Sequence, residues 1–588
     1  MRIRAIYTSL LIFIGQGVQA QNLGNSSFLK YGFTANQNAS DVTFHGFQLT
    51  NSASKMFVLK HLPTNTFASG ASFMPVTDFG AAESSGEIVK VNSPKMPSGI
   101  SLGFERTGND RHQGFLTFNS RIKIKKAPKL RLNGYVIYGN QSFEDDRTTS
   151  AWKRNDKNTN AYAKLSSHDY NAKHRFSLEG LWVKNRGTIT ERFETQKVDD
   201  SEIDGDVLMA KLKWLLKHSV NHTLITELIS ENFTLDGRQT LALSDDKTLR
   251  VTNTKLQVLG EIKRQKTKFR NTILFADNQQ FVSSRGATND KVNYTLGMWQ
   301  TQVNHLTKPN GLGLSYSHNV GYHSTSGMIF NPGVKFFKNV HNFKFDVGLK
   351  QVSRTPSLIT EFSTFFNDEI ADNVTSRQEK LTKIFASSKF EFASTMFIVF
   401  KYVQTSSNNK WLYDLETNTL NQQKIKYSTF YLKLYKNFNR RSRFMFLYRN
   451  ITPETNTAKI FAEHLITGNM EYRIFNQSKR VFKRYRRFNF SVDLKSTYMT
   501  QHNLPFERNG AQAVHKGGVF ADSHLKLRLG KDYSYYRNTL KPLRLRSTII
   551  RLGVNNLLNT RATIQPIEAN NLKPILPRQV YSSITFEI

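Results

Sequence analysis

Lys344, Lys350, Lys389, Lys433 and Lys495 share one setting: each stands in the polar row of a segment whose other row is apolar. Over 342–350, Phe343, Phe345, Val347 and Leu349 alternate with Asn342, Lys344, Asp346 and Lys350. Phe390 and Phe392 alternate with Lys389 and Glu391, and Phe488, Phe490, Val492 and Leu494 with Asn489, Ser491, Asp493 and Lys495. Lys123 and Lys125 alternate with Ile122 and Ile124 in the same way. A row of ammonium groups does no covalent chemistry; it concentrates anions and repels cations. The competing reading is a generic hydrated surface, its charge balanced by Asp346, Glu391 and Asp493.

Covalent chemistry finds little support. The chain has no cysteine, which excludes thiolate nucleophiles, thiolate zinc sites and disulfides. It carries no HExxH, P-loop or G-x-S-x-G pattern. Acidic runs at 144–146, 199–200 and 245–246 read as solvated connections rather than cation sites. The sequence therefore predicts neither an enzyme nor a cofactor.

The elements that must position the lysines follow from the alternation. Its period of two marks β-strands, and it recurs from about residue 98 to the last strand, 580–588. A soluble sandwich and a membrane barrel both alternate. Strands of about ten residues, the length a tilted membrane strand needs, favour the barrel. So does the load of 44 Phe and 22 Tyr, residues suited to lipid-facing and interfacial positions. Apolar content of 38% is low for a helical membrane protein, yet it suits strands that are half polar.

The 588 residues carry a formal net charge of +37. Such a balance invites a nucleic-acid reading, but the cations are spread along the chain rather than gathered in one arm. Their densest cluster is Lys479, Arg480, Lys483, Arg484, Arg486 and Arg487. A solvated turn or a contact with anionic head groups at the periplasmic rim accounts for it. Arg2 and Arg4, the apolar run 5–14, and Val18 and Ala20 before Gln21 form a signal-peptide pattern with cleavage before Gln21. The division is then 1–20 signal peptide, 21–95 a small Ser-, Asn- and Gly-rich unit, and 96–588 the barrel. Phased backwards from a last strand that descends, 405–424, 450–465, 499–517 and 557–579 are outer loops. On the same phasing 437–442, 476–487 and 532–546 are periplasmic.

Three patches resemble the TonB-dependent receptor family of outer-membrane transporters. "VSRTPSLITEF", 352–362, is similar to a barrel motif leading into a large outer loop, through Arg354, Pro356, Ser357 and Leu358. "RLGVNNLLNTRATIQP", 551–566, is similar to the penultimate strand, closed by Asn556, Leu557 and Asn559. "FHGFQL", 44–49, and 76–94 resemble the end of a plug domain, with Gly80 and Gly86 in its turn and Val89 and Val91 in its strand.

The resemblance implies about 22 antiparallel strands around a reduced plug, in the outer membrane of a Gram-negative bacterium. The division of chain length fits that count, and a porin of 16 to 18 strands as well. The resemblance also implies uptake of a scarce, anionic solute, such as a ferric chelate or oligosaccharide, by a monomer. Its partners would be membrane lipids and periplasmic TonB, with no nucleic acid. Arg354 would join the lysines in facing the solute. Residues 352–381 hold no His, which speaks against haem. The stretch after Gln21 lacks the acidic and aliphatic run through which such receptors meet TonB, so a passive or structural barrel is the alternative.

Overall fold

The computed structural model describes 41–44, 47–49, 75–78 and 88–91 and, between 99 and 587, the strands and tight turns of one large wall and two small hairpins, His502–Arg508 with Ala511–His515 and Thr563–Ile564 with Lys573–Pro574. That wall is a closed barrel of 22 strands running from Gly99–Thr107 to Gln579–Glu587. Every strand pairs antiparallel with its neighbours in chain order. The first and last meet over Ser101↔Glu587 to Thr107↔Tyr581. Closure leaves no edge, the condition for a β-structure in lipid, where unpaired backbone groups cost several kcal/mol each, on the order of a lost hydrogen bond.

One end of the barrel is bound by short connections apart from 532–546. Two residues separate Val340 from Phe343 of the next strand, and two separate Val481 from Arg484. The other end carries the longer connections, including 355–378 and 556–578. The alternation expected between 98 and 588 is thus a closed sheet, and its two ends follow the phasing derived from the sequence.

Strands run from 9 residues, as in Ser547–Asn555, to 22 in Gln196–Lys217, well beyond the expected ten. Three expectations change as a result. The stretch 405–424 is mostly ladder, since Met396–Asp414 and Thr419–Asn437 enclose only 415–418. The stretch 476–487 is a hairpin, formed by the strands His464–Val481 and Arg484–Met499. The acidic runs 144–146 and 199–200 lie inside Leu130–Arg147 and Gln196–Lys217, not in connections. A ladder needs only backbone partners, so it continues past the bilayer where both faces are polar and no alternation marks it.

At the short-turn end the hairpin 464–499 outruns one neighbour. Strand Ser442–Pro453 pairs with it only as far as Ser442↔Tyr472, while His464–Val481 continues nine residues further. A second irregularity lies nearer the long-loop end. Gly327–Val340 pairs with Phe343–Arg354 only from Gly333↔Lys350 toward the turn. The next residue is Pro332, which has no N–H to donate and stops the ladder there. Ser353 Oγ donates to Asn331 Oδ1 at 2.8 Å across the parting. Pro332→Ala is expected to let the ladder extend, slowing amide exchange at 351–353; unchanged exchange would show that the proline is not the cause.

Four short strands, Asp41–Phe44, Phe47–Leu49, Pro75–Asp78 and Ile88–Val91, form a separate sheet in which the first and last run parallel. Val89 and Val91 lie in it as strand residues. Gly80, Gly86, residues 1–20, Lys123, Lys125 and 245–246 lie outside the described residues.

Candidate functional site: the inner wall of the barrel

Register assigns the faces. The outer rows carry Phe104, Leu178, Trp214, Phe275, Trp299, Phe330 and Leu552, all exposed. Trp182 Nε1 donates to Asp206 Oδ1 at 2.8 Å on this outer surface. Toward the long loops the same rows turn ionic, with Lys184–Asp204 and Arg186–Glu202. An indole between an apolar belt and charge is the arrangement of a membrane interface. Above the belt on the opposite side of the barrel, Glu454 accepts from Lys426, Gln404 and Ser428. The hydrogen bonds from Lys426 and then Gln404 hold its carboxyl below the usual glutamate range.

The inner rows are buried. Val183, Val207 and Val251 are 0% exposed, against 58% for the outward Phe275. Tyr135, Tyr162, Leu181, Met209 and Phe233 continue this apolar inner surface across the strands between 130 and 264.

Toward the short-turn end the inner rows become a belt of ion pairs. Glu179 accepts from Lys164 at 2.6 Å and Tyr162 at 3.1 Å. Glu227 lies 2.5 Å from Lys213 and 3.5 Å from Lys211. Glu261 faces Lys268, Lys263 and Arg270 at 3.0, 3.3 and 3.4 Å. Asp346 lies 3.8 Å from Lys335, and Glu391 lies 2.6 Å from Lys389. Glu471 sits between Arg473 at 3.1 Å and Arg443 at 3.8 Å. In these inward pairs six carboxylates meet ten cations, so the belt is positive in balance.

The structure places Lys344, Lys350, Lys389 and Lys433 on one continuous inner surface. Lys344 pairs with Lys389 and Lys350 with Lys383 directly across the ladder. Lys433 lies opposite Val399 and Lys401 opposite Tyr431 on the next strands. Like charges directly opposite destabilise a sheet, so this wall gives up stability to keep its charge. Arg354 closes its strand at the long-loop end, opposite Glu379. Lys495 is inward and buried on a different part of the wall, opposite Asp522, with Lys526 and Arg551 on neighbouring strands.

Sequence reading passed over Lys383, Lys401, Lys526 and Arg551. His524, Lys526 and Arg528 alternate cleanly with Leu525, Leu527 and Leu529, so Lys526 was legible. Lys401 was not, because it sits in "FIVFKYV", where both rows are apolar. The backbones of Lys479, Arg480, Arg484, Arg486 and Arg487 lie in the protruding hairpin, and Lys483 lies outside the described residues.

A closed 22-strand sheet, oily outside and cationic within, defines a transmembrane β-barrel of the largest common size. No protein-family model matches the sequence, nor does any curated protein. Solved structures do share the fold. The FrpB iron transporter of Neisseria meningitidis aligns with a TM-score of 0.66 at 12% identity, covering 95% of this chain and 92% of that one. The siderophore receptor PirA of Acinetobacter baumannii aligns at 0.64 and 10%, covering 96% of each. The ferric enterobactin receptor PfeA of Pseudomonas aeruginosa aligns at 0.64 and 9%, covering 93% and 90%. At these identities the likeness is one of fold.

Proposed function

We propose that this chain is an outer-membrane transporter of the TonB-dependent receptor type, which takes up a scarce anionic solute, with a ferric chelate as the leading candidate. The observation that carries the reading is the inner wall: a bore of 22 strands that is both cationic and covered. Inward side chains of an empty bore would expose as much surface as outward ones. Exposure near zero at Val183, Val207 and Val251 supports a reading with protein inside the bore, since a barrel of this size does not fill itself from its walls. Residues 21–95 supply that plug in this reading, seated on the apolar side of the wall. The solute passes along the lysine side, entering from the long-loop end and leaving at the short-turn, periplasmic end. That neighbours in fold are an iron transporter and siderophore receptors supports the choice of solute.

The test is uptake of radiolabelled ferric chelates by iron-starved cells with and without the chain. Energised, chain-dependent uptake that disappears when TonB is removed is the expected result. Co-elution with the periplasmic domain of TonB is expected alongside it. Chain-dependent permeation that persists without TonB would replace this reading with that of a passive barrel.

A further inference from the structure

The hairpin of His464–Val481 and Arg484–Met499 leaves the short-turn rim where its neighbour turns back. Past Ser442↔Tyr472, no described residue pairs with the outer side of 473–481. Nine residues at about 3.3 Å each, tilted by about 40°, carry the tip roughly 20 Å below that turn. The head-group layer is only about 5–7 Å deep on each side. The tongue thus reaches past the lipid surface into the aqueous compartment. Between Tyr472 and Val492 it holds seven Lys and Arg and no Asp or Glu.

Its pairing fixes which backbone groups are presented. Val481 and Arg484 flank a two-residue connection, so they form a hydrogen-bonded pair, as do 479↔486 and 477↔488. The intervening residues, Asn476, Ser478 and Arg480, direct N–H and C=O away from the hairpin, along the open edge. An exposed strand edge is a template for another strand. A second copy of the tongue is excluded as its partner by like charge, since seven cations would face seven.

We propose that this edge is a docking site for an extended, acidic polypeptide segment in the periplasm, which adds as a strand beside 475–481. Backbone pairing supplies the geometry, and the flanking cations select for Asp and Glu. The open edge and the charge do not depend on what the barrel transports; only the compartment rests on the phasing above.

The experiment uses the full-length protein in detergent micelles and a sensor coated with a short peptide of alternating Glu and Val. Wild-type protein is expected to bind it and to ignore a Lys–Val peptide. Ser478→Pro removes one outward N–H without touching the hairpin's own ladder. The combined Lys479→Gln, Arg480→Gln, Lys483→Gln and Arg484→Gln variant removes charge and leaves the edge. Each is expected to weaken binding about tenfold or more, as for loss of one anchoring interaction. In the wild type, amide exchange at 476, 478 and 480 is expected to slow when the peptide is added, a readout independent of variant folding. Absence of peptide binding, or binding without that protection, overturns the proposal. So does retention on phosphatidylglycerol vesicles that Ser478→Pro leaves intact while the peptide goes unbound, which would assign the cations to lipid.

Discussion

A variant lacking residues 21–95 is expected to conduct ions across a planar bilayer, where the intact chain is closed, and the current is expected to be carried mainly by anions. Conduction is expected if residues 21–95 are what covers Val183, Val207 and Val251, as proposed above. Selectivity follows from the wall then uncovered, on which Lys344, Lys350, Lys383, Lys389, Lys401 and Lys433 face the bore from four adjoining strands. A field of that sign raises local anion concentration, so an anion-to-cation permeability ratio of roughly three to ten is expected at low salt. The ratio should fall as ionic strength rises, because the screening length shrinks to about 3 Å at 1 M. Changing Lys344, Lys350, Lys383 and Lys389 to Glu should invert the preference. Cation selectivity in the plugless variant would sink the lysine-lined path, and an intact chain that conducts as freely would sink the plug.

The second large effect is expected at the seam. Asn556 and Asn559 adopt positive φ, 49° and 52°, in the turn that ends Ser547–Asn555. Buried Asn556 donates its backbone N–H to Asp522 Oδ1 at 2.9 Å, and Leu557 donates to Ala521 O at 2.7 Å. Asn559 Oδ1 accepts from the N–H of Arg578 at 2.9 Å, which fixes the start of the closing strand. The Asn-Leu-x-Asn signature is therefore a clasp: it turns the penultimate strand sharply, ties it to the strand before, and holds the far end of its loop. Asn556→Val places a β-branched residue in the left-handed region and disturbs a buried hydrogen bond to a carboxylate. The cost is on the order of 3 kcal/mol. Heat-modifiable migration on gels should show a much reduced folded fraction. Asn556→Gly should recover most of it, since glycine accepts that φ. Equal loss in both variants would mean the side chain, not the backbone, does the holding.

The barrel was legible because its two solvents differ. Lipid outside and water within force the period-two rows at 342–350, 389–392 and 488–495, and those rows fix both the strands and the inward face of their lysines. Strand ends were not legible for the same reason turned around. At 405–424 and 476–487 both faces meet polar surroundings, no alternation survives, and the ladder is held by backbone groups that carry no side-chain signature. Lys401 was hidden because residues on both sides of its strand are apolar. Pairing adds what composition cannot: Lys344 against Lys389 is a relation between strands 45 positions apart, which the register alone reveals. The clasp at 556–559 was visible as a motif, but its physical basis, two left-handed asparagines and a buried carboxylate, was not.

The meeting of the first strand with the last has a consequence for biogenesis. The ring cannot close until Gln579–Glu587 has been made, because Gly99–Thr107 pairs with Arg111–Ile122 along one edge and has no partner for its other edge before then. Pairing so remote along the chain is slow to form, and an open sheet waiting for it exposes an apolar face and two bare edges. Synthesis must therefore deliver the polypeptide to the membrane in a shepherded, unclosed form, and whatever guards it has to stay bound until the ring is joined.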